Sequence, residues 1–97
     1  MHIYISCNKP LPIRRIEHVM ITRGGIKPYF LQHGFFVEIQ SIADADFPIL
    51  EQYIEEVLCQ YKDCQIHLHA SSPTVYRYFL MREGLYKYVC GSLFINC

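Results

Sequence analysis

Between Ile49 and Tyr61 the residues Leu50, Tyr53, Ile54, Val57, Leu58 and Tyr61 recur at helical spacing, whereas the flanking segments are β-branched, aromatic or alternating. One amphipathic helix set among strands needs a sheet on which to bury its apolar stripe. Glu51, Glu55 and Glu56 mark the wet face of that helix. Asp44 and Asp46 precede it as N-caps, Pro48 is tolerated in a first turn, and Lys62-Asp63 ends it.

The remaining elements follow from turn chemistry and period. His2 to Cys7 reads as a first strand, stopped by Pro10 and Pro12, which forbid both helix and ladder. Ile13 to Thr22 suits a second strand, closed by the turn Arg23-Gly24-Gly25. Ile26 to Gln32 returns as a third, which Pro28 confines to an edge or a bulge. After His33-Gly34, Phe35 to Ile42 completes a three-stranded meander, with Phe35, Val37 and Ile39 on one face and Phe36, Glu38 and Gln40 on the other. Beyond the helix, Gln65 to Ala70 forms a short strand in which Ile66 and Leu68 oppose His67 and His69. Ser71 or Ser72 caps a second helix with Pro73 near its start and Gly84 at its end. Tyr86 to Asn96 is read as a last strand with a bend at Gly91. The expectation is an α+β fold: a mainly antiparallel sheet of five to six strands with two packed helices, in the order β-βββ-α-β-α-β.

The chain has 97 residues, room for a single domain spanning 1–97. A domain of this size buries only about two thirds of its unfolded surface. It is 52% hydrophobic and only 19% charged, with eight Tyr and six Phe. That combination predicts apolar surface covered by a protein partner or a second copy, so a homodimer is an expectation. Five cations stand against Glu17 alone in residues 1–34, and seven carboxylates against Lys62 alone in residues 35–65. The acidic middle disfavours nucleic acid, whose binders carry a basic excess. Cys7, Cys59, Cys64, Cys90 and Cys97 are odd in number and lack metal-finger spacing, which points to reduced thiols used as small core residues. No leader or membrane-length apolar run is found, so the expected compartment is the cytoplasm of a cell, a virus-infected or phage-infected host included.

Over about residues 35–94, the run FFVEIQ, ILEQYIEEVLCQY, QIHLHA, a helix ending FLMREGLY and a final strand resembles the GNAT N-acetyltransferase superfamily. The resemblance implies acyl-CoA as cofactor, and strands Phe35–Ile42 and Gln65–Ala70 side by side and splayed to admit it. The family's pyrophosphate loop carries glycines whose N–H groups hold the anion at a helix N-terminus. The matching stretch here, Ser41-Ile42-Ala43-Asp44-Ala45-Asp46-Phe47-Pro48, has no glycine, and Pro48 lacks an N–H. Two aspartates stand where the diphosphate would lie, each repelling it by about 1–4 kcal/mol at about 4 Å. The position of the family's Tyr general acid falls on Leu80, with Tyr78 two residues away. The two helices that usually follow the first strand are reduced to a Pro-rich loop. The resemblance is therefore to a reduced or repurposed member of that superfamily.

Glu38 and Tyr78 are the candidate proton-transfer residues of an acyltransferase using acetyl-CoA. His67 and His69 could chelate a metal with Cys64, but no third spaced ligand accompanies them, so no metal is assigned. Cys7, followed by Asn8, is the candidate thiol nucleophile, with a buried thiol as the plainer reading. Tyr76, Tyr86 and Tyr88 with Arg77, Arg82 and Lys87 combine aromatics and cations as interface hot spots do, and form the candidate interaction surface. Two readings follow. The first is a non-catalytic, inhibitor-like protein-interaction domain on a reduced GNAT-like scaffold, with no cofactor and no membrane association. The alternative is a small GNAT-type acyltransferase.

Overall fold

The computed structural model describes residues 2–31, 34–81, 86–89 and 92–96; in the last two segments Ile95 is the one side chain described. The elements run β1 (Ile3–Cys7), β2 (Arg14–Ile16), β3 (Val19–Ile21), β4 (Phe35–Ile39), a 3₁₀ turn (Asp44–Asp46), α1 (Phe47–Gln60), β5 (Gln65–Ala70), α2 (Thr74–Leu80), β6 (Tyr86–Val89) and β7 (Ser92–Asn96). β4-β1-β5-β7-β6 form one antiparallel sheet, and β2-β3 a separate antiparallel ribbon. The fold is α+β, with both helices on one face of the larger sheet.

β1 holds the centre because its alternation feeds both neighbours at once. Ile3, Ile5 and Cys7 stand in register with Ile39, Val37 and Phe35 on one side and with Ala70, Leu68 and Ile66 on the other. Apart from the half-exposed Phe35, these side chains share one buried cluster with Leu50, Tyr53, Ile54 and Val57 of α1 and with Val75 and Phe79 of α2. Each Leu, Ile, Val or Phe so enclosed contributes about 1.5–3 kcal/mol relative to exposure. Tyr53 is completely buried, and its hydroxyl donates to the Pro12 carbonyl at 2.7 Å. That bond fixes the Pro-rich loop over α1, and burial pushes the Tyr53 phenol well above its ordinary pKa.

Several sequence expectations are corrected by the strand pairing. Ile13–Thr22 is not one strand: it folds back at Glu17-His18, which joins β2 to β3. Glu17 adopts φ 55°, a region usually left to Gly or Asn, so no local residue announced the turn. Tertiary contacts hold it instead. Arg14 donates Nη2–H to Glu56 Oε1 at 2.7 Å, and His18 Nε2 lies 2.8 Å from Asp46 Oδ1, tying both ends of the hairpin to the α1 region. Residues 26–31 of the expected third strand carry no strand; Leu31 N–H closes a turn on the Pro28 carbonyl at 3.2 Å. β4 therefore pairs with β1 rather than closing a meander.

The last segment is a hairpin of β6 and β7, with Tyr86 opposite Ile95, rather than one bent strand. The second helix spans Thr74–Leu80, with Thr74 N–H donating to Ser72 Oγ at 3.4 Å. The expected stop at Gly84 lies outside the described residues. α1 begins at Phe47, two residues before the periodic segment. β1 also lies between β4 and β5, so the two strands that the GNAT resemblance sets side by side are each hydrogen-bonded to β1. Among the described residues no helix is long and apolar enough to cross a membrane.

Candidate interaction surface

The sheet face away from the helices is built from the residues that alternate with the core. Tyr4 of β1 stands between Glu38 and His69, and Ser6 between Phe36 and His67. His2 Nε2 lies 3.0 Å from Glu38 Oε2, and the His2 ring stacks on Tyr4 at 4.5 Å. Phe30 reaches over this row from the segment 23–31, meeting His69 at 4.3 Å and the Tyr4 ring edge-on at 5.6 Å. Desolvation there lowers the His69 pKa. Ser6 is completely buried and its Oγ has no hydrogen-bond partner among the described residues. It is therefore not paired with a base as a serine nucleophile requires.

The same segment also presents side chains to solvent. Phe30 and Leu31 face inward, whereas Ile26 is 96% and Tyr29 98% exposed. Side chains of this size are rarely so completely solvated, and two of them close in sequence make an apolar tip. At the base of the loop, Gly24 lies against the Phe36 ring, where an added Cβ would sit 2.5 Å from Phe36 Cε2.

β4 is an edge strand, and its outer side is only partly paired. Thr22 and Glu38 exchange backbone hydrogen bonds of 3.0 and 2.8 Å across that edge. Glu38 thus aims its N–H and C=O away from β1, and alternation makes Phe36 do the same. Beyond Thr22 the chain leaves the ladder, and among the described residues no backbone group bonds to Phe36 on that side. The open position faces a hollow of about 400 Å³ walled by Pro10, Leu11, Arg23, Gly24, Gly34 and Phe36. Arg23 is the charged residue among its described walls.

The residues singled out from sequence are dispersed. Glu38 lies on the open face, held by His2 and by Gln40 Nε2 at 3.4 Å. Tyr78 is on the helical side, where its hydroxyl donates to Glu51 Oε1 at 3.1 Å and its ring meets Phe47. The two side chains thus lie on opposite faces of the sheet. Tyr76 is buried rather than presented: its hydroxyl accepts the Ala70 N–H at 2.6 Å and donates to the Ala70 carbonyl at 3.3 Å. Arg77 is exposed on α2. Tyr86, Lys87 and Tyr88 lie on β6 with side chains outside the description, as Arg82 is altogether. Cys7 is completely buried. Among the described residues no three His, Cys, Asp or Glu side chains gather as metal ligands would.

Just ahead of α1, Asp46 Oδ2 accepts the Ala43 N–H at 3.1 Å, so a carboxylate stands at the entry to the helix. That bond, with the hydrogen bond from His18, holds the Asp46 carboxyl below the usual carboxylate range. Sequence reasoning missed the loop tip and the open edge. Pro28 and Gly24-Gly25 signalled irregular chain, but only the pairing register shows which backbone groups face outward.

No protein-family model, curated protein or solved structure matches this chain.

Proposed function

We propose that this chain is a non-catalytic protein-interaction domain that takes an extended segment of a partner protein against the outer edge of β4. The observation that carries the reading is the open ladder position at Phe36, facing a hollow, in a chain that also exposes the side chains of Ile26 and Tyr29. An edge strand with unpaired N–H and C=O groups is the template for β-strand addition, and adjacent hollows supply side-chain specificity. Arg23 favours a partner segment with a carboxylate near the paired residue. Ile26, Tyr29 and the half-exposed Phe35 give the apolar contact that one or two ladder bonds alone would not.

Support also comes from what the acyltransferase alternative requires. It needs β4 and β5 as neighbours, Glu38 within reach of the acid, and free donors at the start of α1. β1 pairs with both strands, Glu38 and Tyr78 lie on opposite faces, and Asp46 takes the Ala43 N–H. A GNAT ancestry with the cofactor site lost is compatible with the strand–helix–hairpin order of β5, α2, β6 and β7.

Two calorimetric titrations test the proposal. A peptide selected against the chain from a random display library is expected to bind at micromolar concentration, and to lose at least tenfold in affinity to an Ile26→Ser/Tyr29→Ser variant. Acetyl-CoA is expected to give no heat of binding at millimolar concentration. Micromolar binding of acetyl-CoA would overturn the reading in favour of an acyltransferase.

A further inference from the structure

At the far end of β1 from its N-terminus, two thiols meet inside the fold. Cys7 Sγ and Cys64 Sγ are 3.2 Å apart, and the residues are 0% and 1% exposed. The approach is imposed by the backbone on both sides. Asn8 Oδ1 accepts the Gln65 N–H at 2.8 Å, Asn8 Nδ2–H donates to the Asp63 carbonyl at 3.0 Å, and Asn8 N–H donates to the Gln65 carbonyl at 3.3 Å. These bonds grip the residues before and after Cys64, while Asp63 takes φ 55° to turn the chain into β5. Cys7 itself is the last residue of β1, in register with Ile66, and its sulfur also receives the Lys9 N–H at 3.3 Å. The clamp fixes the two backbones against each other and leaves the sulfurs to close the remaining gap by side-chain rotation.

We infer that Cys7 and Cys64 form an oxidative modification site, closing to an intramolecular disulfide when a small peroxide reaches them. In the first step one sulfur attacks the O–O bond of hydrogen peroxide, becoming a sulfenic acid and releasing water. In the second, the other thiol sulfur attacks the sulfenic sulfur, forms the S–S bond and expels the oxygen as a second water. Two thiols are oxidised by two electrons, and one peroxide is reduced to two waters. The sulfurs need only approach by about 1 Å to reach the S–S bond length of about 2.05 Å. Burial restricts the oxidant to one small enough to enter during local opening, and keeps larger electrophiles out. The bridge would tie β1 to the α1–β5 turn across 57 positions of sequence. Closing so long a loop restricts the unfolded chain, and a rise in Tm of roughly 5–15 °C is expected.

The test uses the full reduced chain under native conditions. It is treated with hydrogen peroxide, quenched with catalase, unfolded in N-ethylmaleimide and digested without reductant for mass spectrometry. A cross-linked pair of peptides containing Cys7 and Cys64 is expected, lighter by two hydrogens and separated again by dithiothreitol. The Cys59→Ser variant, which alters an exposed thiol, is expected to form the same cross-link. Cys7 and Cys64 both recovered as maleimide adducts, while Cys59 is oxidised, would overturn the inference. A cross-link joining either of them to a different cysteine would do so equally, as would one that forms only after unfolding.

Discussion

His18 Nε2 and Asp46 Oδ1 lie 2.8 Å apart, joining the turn of the β2–β3 hairpin to the start of α1. The other oxygen of the same carboxylate accepts the Ala43 N–H at 3.1 Å. One side chain thus closes the 3₁₀ turn and docks the ribbon, so the hairpin and the approach to α1 are held by the same carboxylate.

Asp46→Asn is expected to lower stability at neutral pH and to change its pH dependence. The native Asp46 pKa is depressed, first by the Ala43 N–H and then by His18. Its contribution is therefore present above the unfolded value of about 3.9 and is lost as pH falls through the lower native value. Urea midpoints measured from pH 7 to pH 2 should show the variant less stable at the top of the range and converging with the parent at the bottom. Parallel curves across that range would contradict the assignment.

His69 acts in the opposite chemical sense, through a base kept neutral. Burial depresses its native pKa, so as pH falls below the ordinary value of about 6.5 the unfolded chain takes up this proton first. Stability contributed by the neutral ring is present above that value and declines as pH drops through the native pKa. His69→Gln should remove this part of the decline in thermal midpoints between pH 7.5 and about pH 5, leaving a shallower slope than the parent shows.

Tyr53→Phe removes the hydroxyl that donates to Pro12 and leaves the carbonyl without its partner. The expected loss is about 1 kcal/mol, read as a fall in the denaturant midpoint with an unchanged m-value. A change below about 0.3 kcal/mol would mean that water replaces the phenol at that carbonyl.

Gly24→Ala places a methyl group into the Phe36 ring and forces that ring to move. A cost of about 1–3 kcal/mol is expected, the range for overpacking a filled contact. Chemical shifts of the Phe36 ring should report the displacement, and peptide affinity should fall because the same ring walls the hollow.

How far the sequence could be read depends on whether a feature is local. The α1 stripe, the Pro48 start and the β5 alternation are settled by neighbouring residues, and the structure places each within two residues of expectation, whereas the N-cap of α2 falls on Pro73 rather than on Ser71 or Ser72. Strand pairing is not local. Alternation in Ile3–Cys7 says that the strand has a buried face, but not that β4 and β5 will flank it. Glu17 turns at positive φ without a glycine because His18 and Arg14 are held by α1, information that resides some thirty to forty positions away. Tyr76 illustrates the same point for the candidate site. Aromatic and cationic neighbours suggested a presented surface, yet its hydroxyl matches both backbone groups of Ala70, and the ring goes inward. The open edge was illegible because it exists only through the register of Thr22 with Glu38.

Amide hydrogen exchange at Phe36, measured with and without a library-selected peptide, tests the central proposal most directly. The account predicts that this N–H, aimed outward in the free chain, becomes protected at least tenfold on binding while the core amides of β1 are unchanged. A peptide that binds at micromolar concentration yet leaves Phe36 exchanging at its free rate would contradict strand addition at this edge.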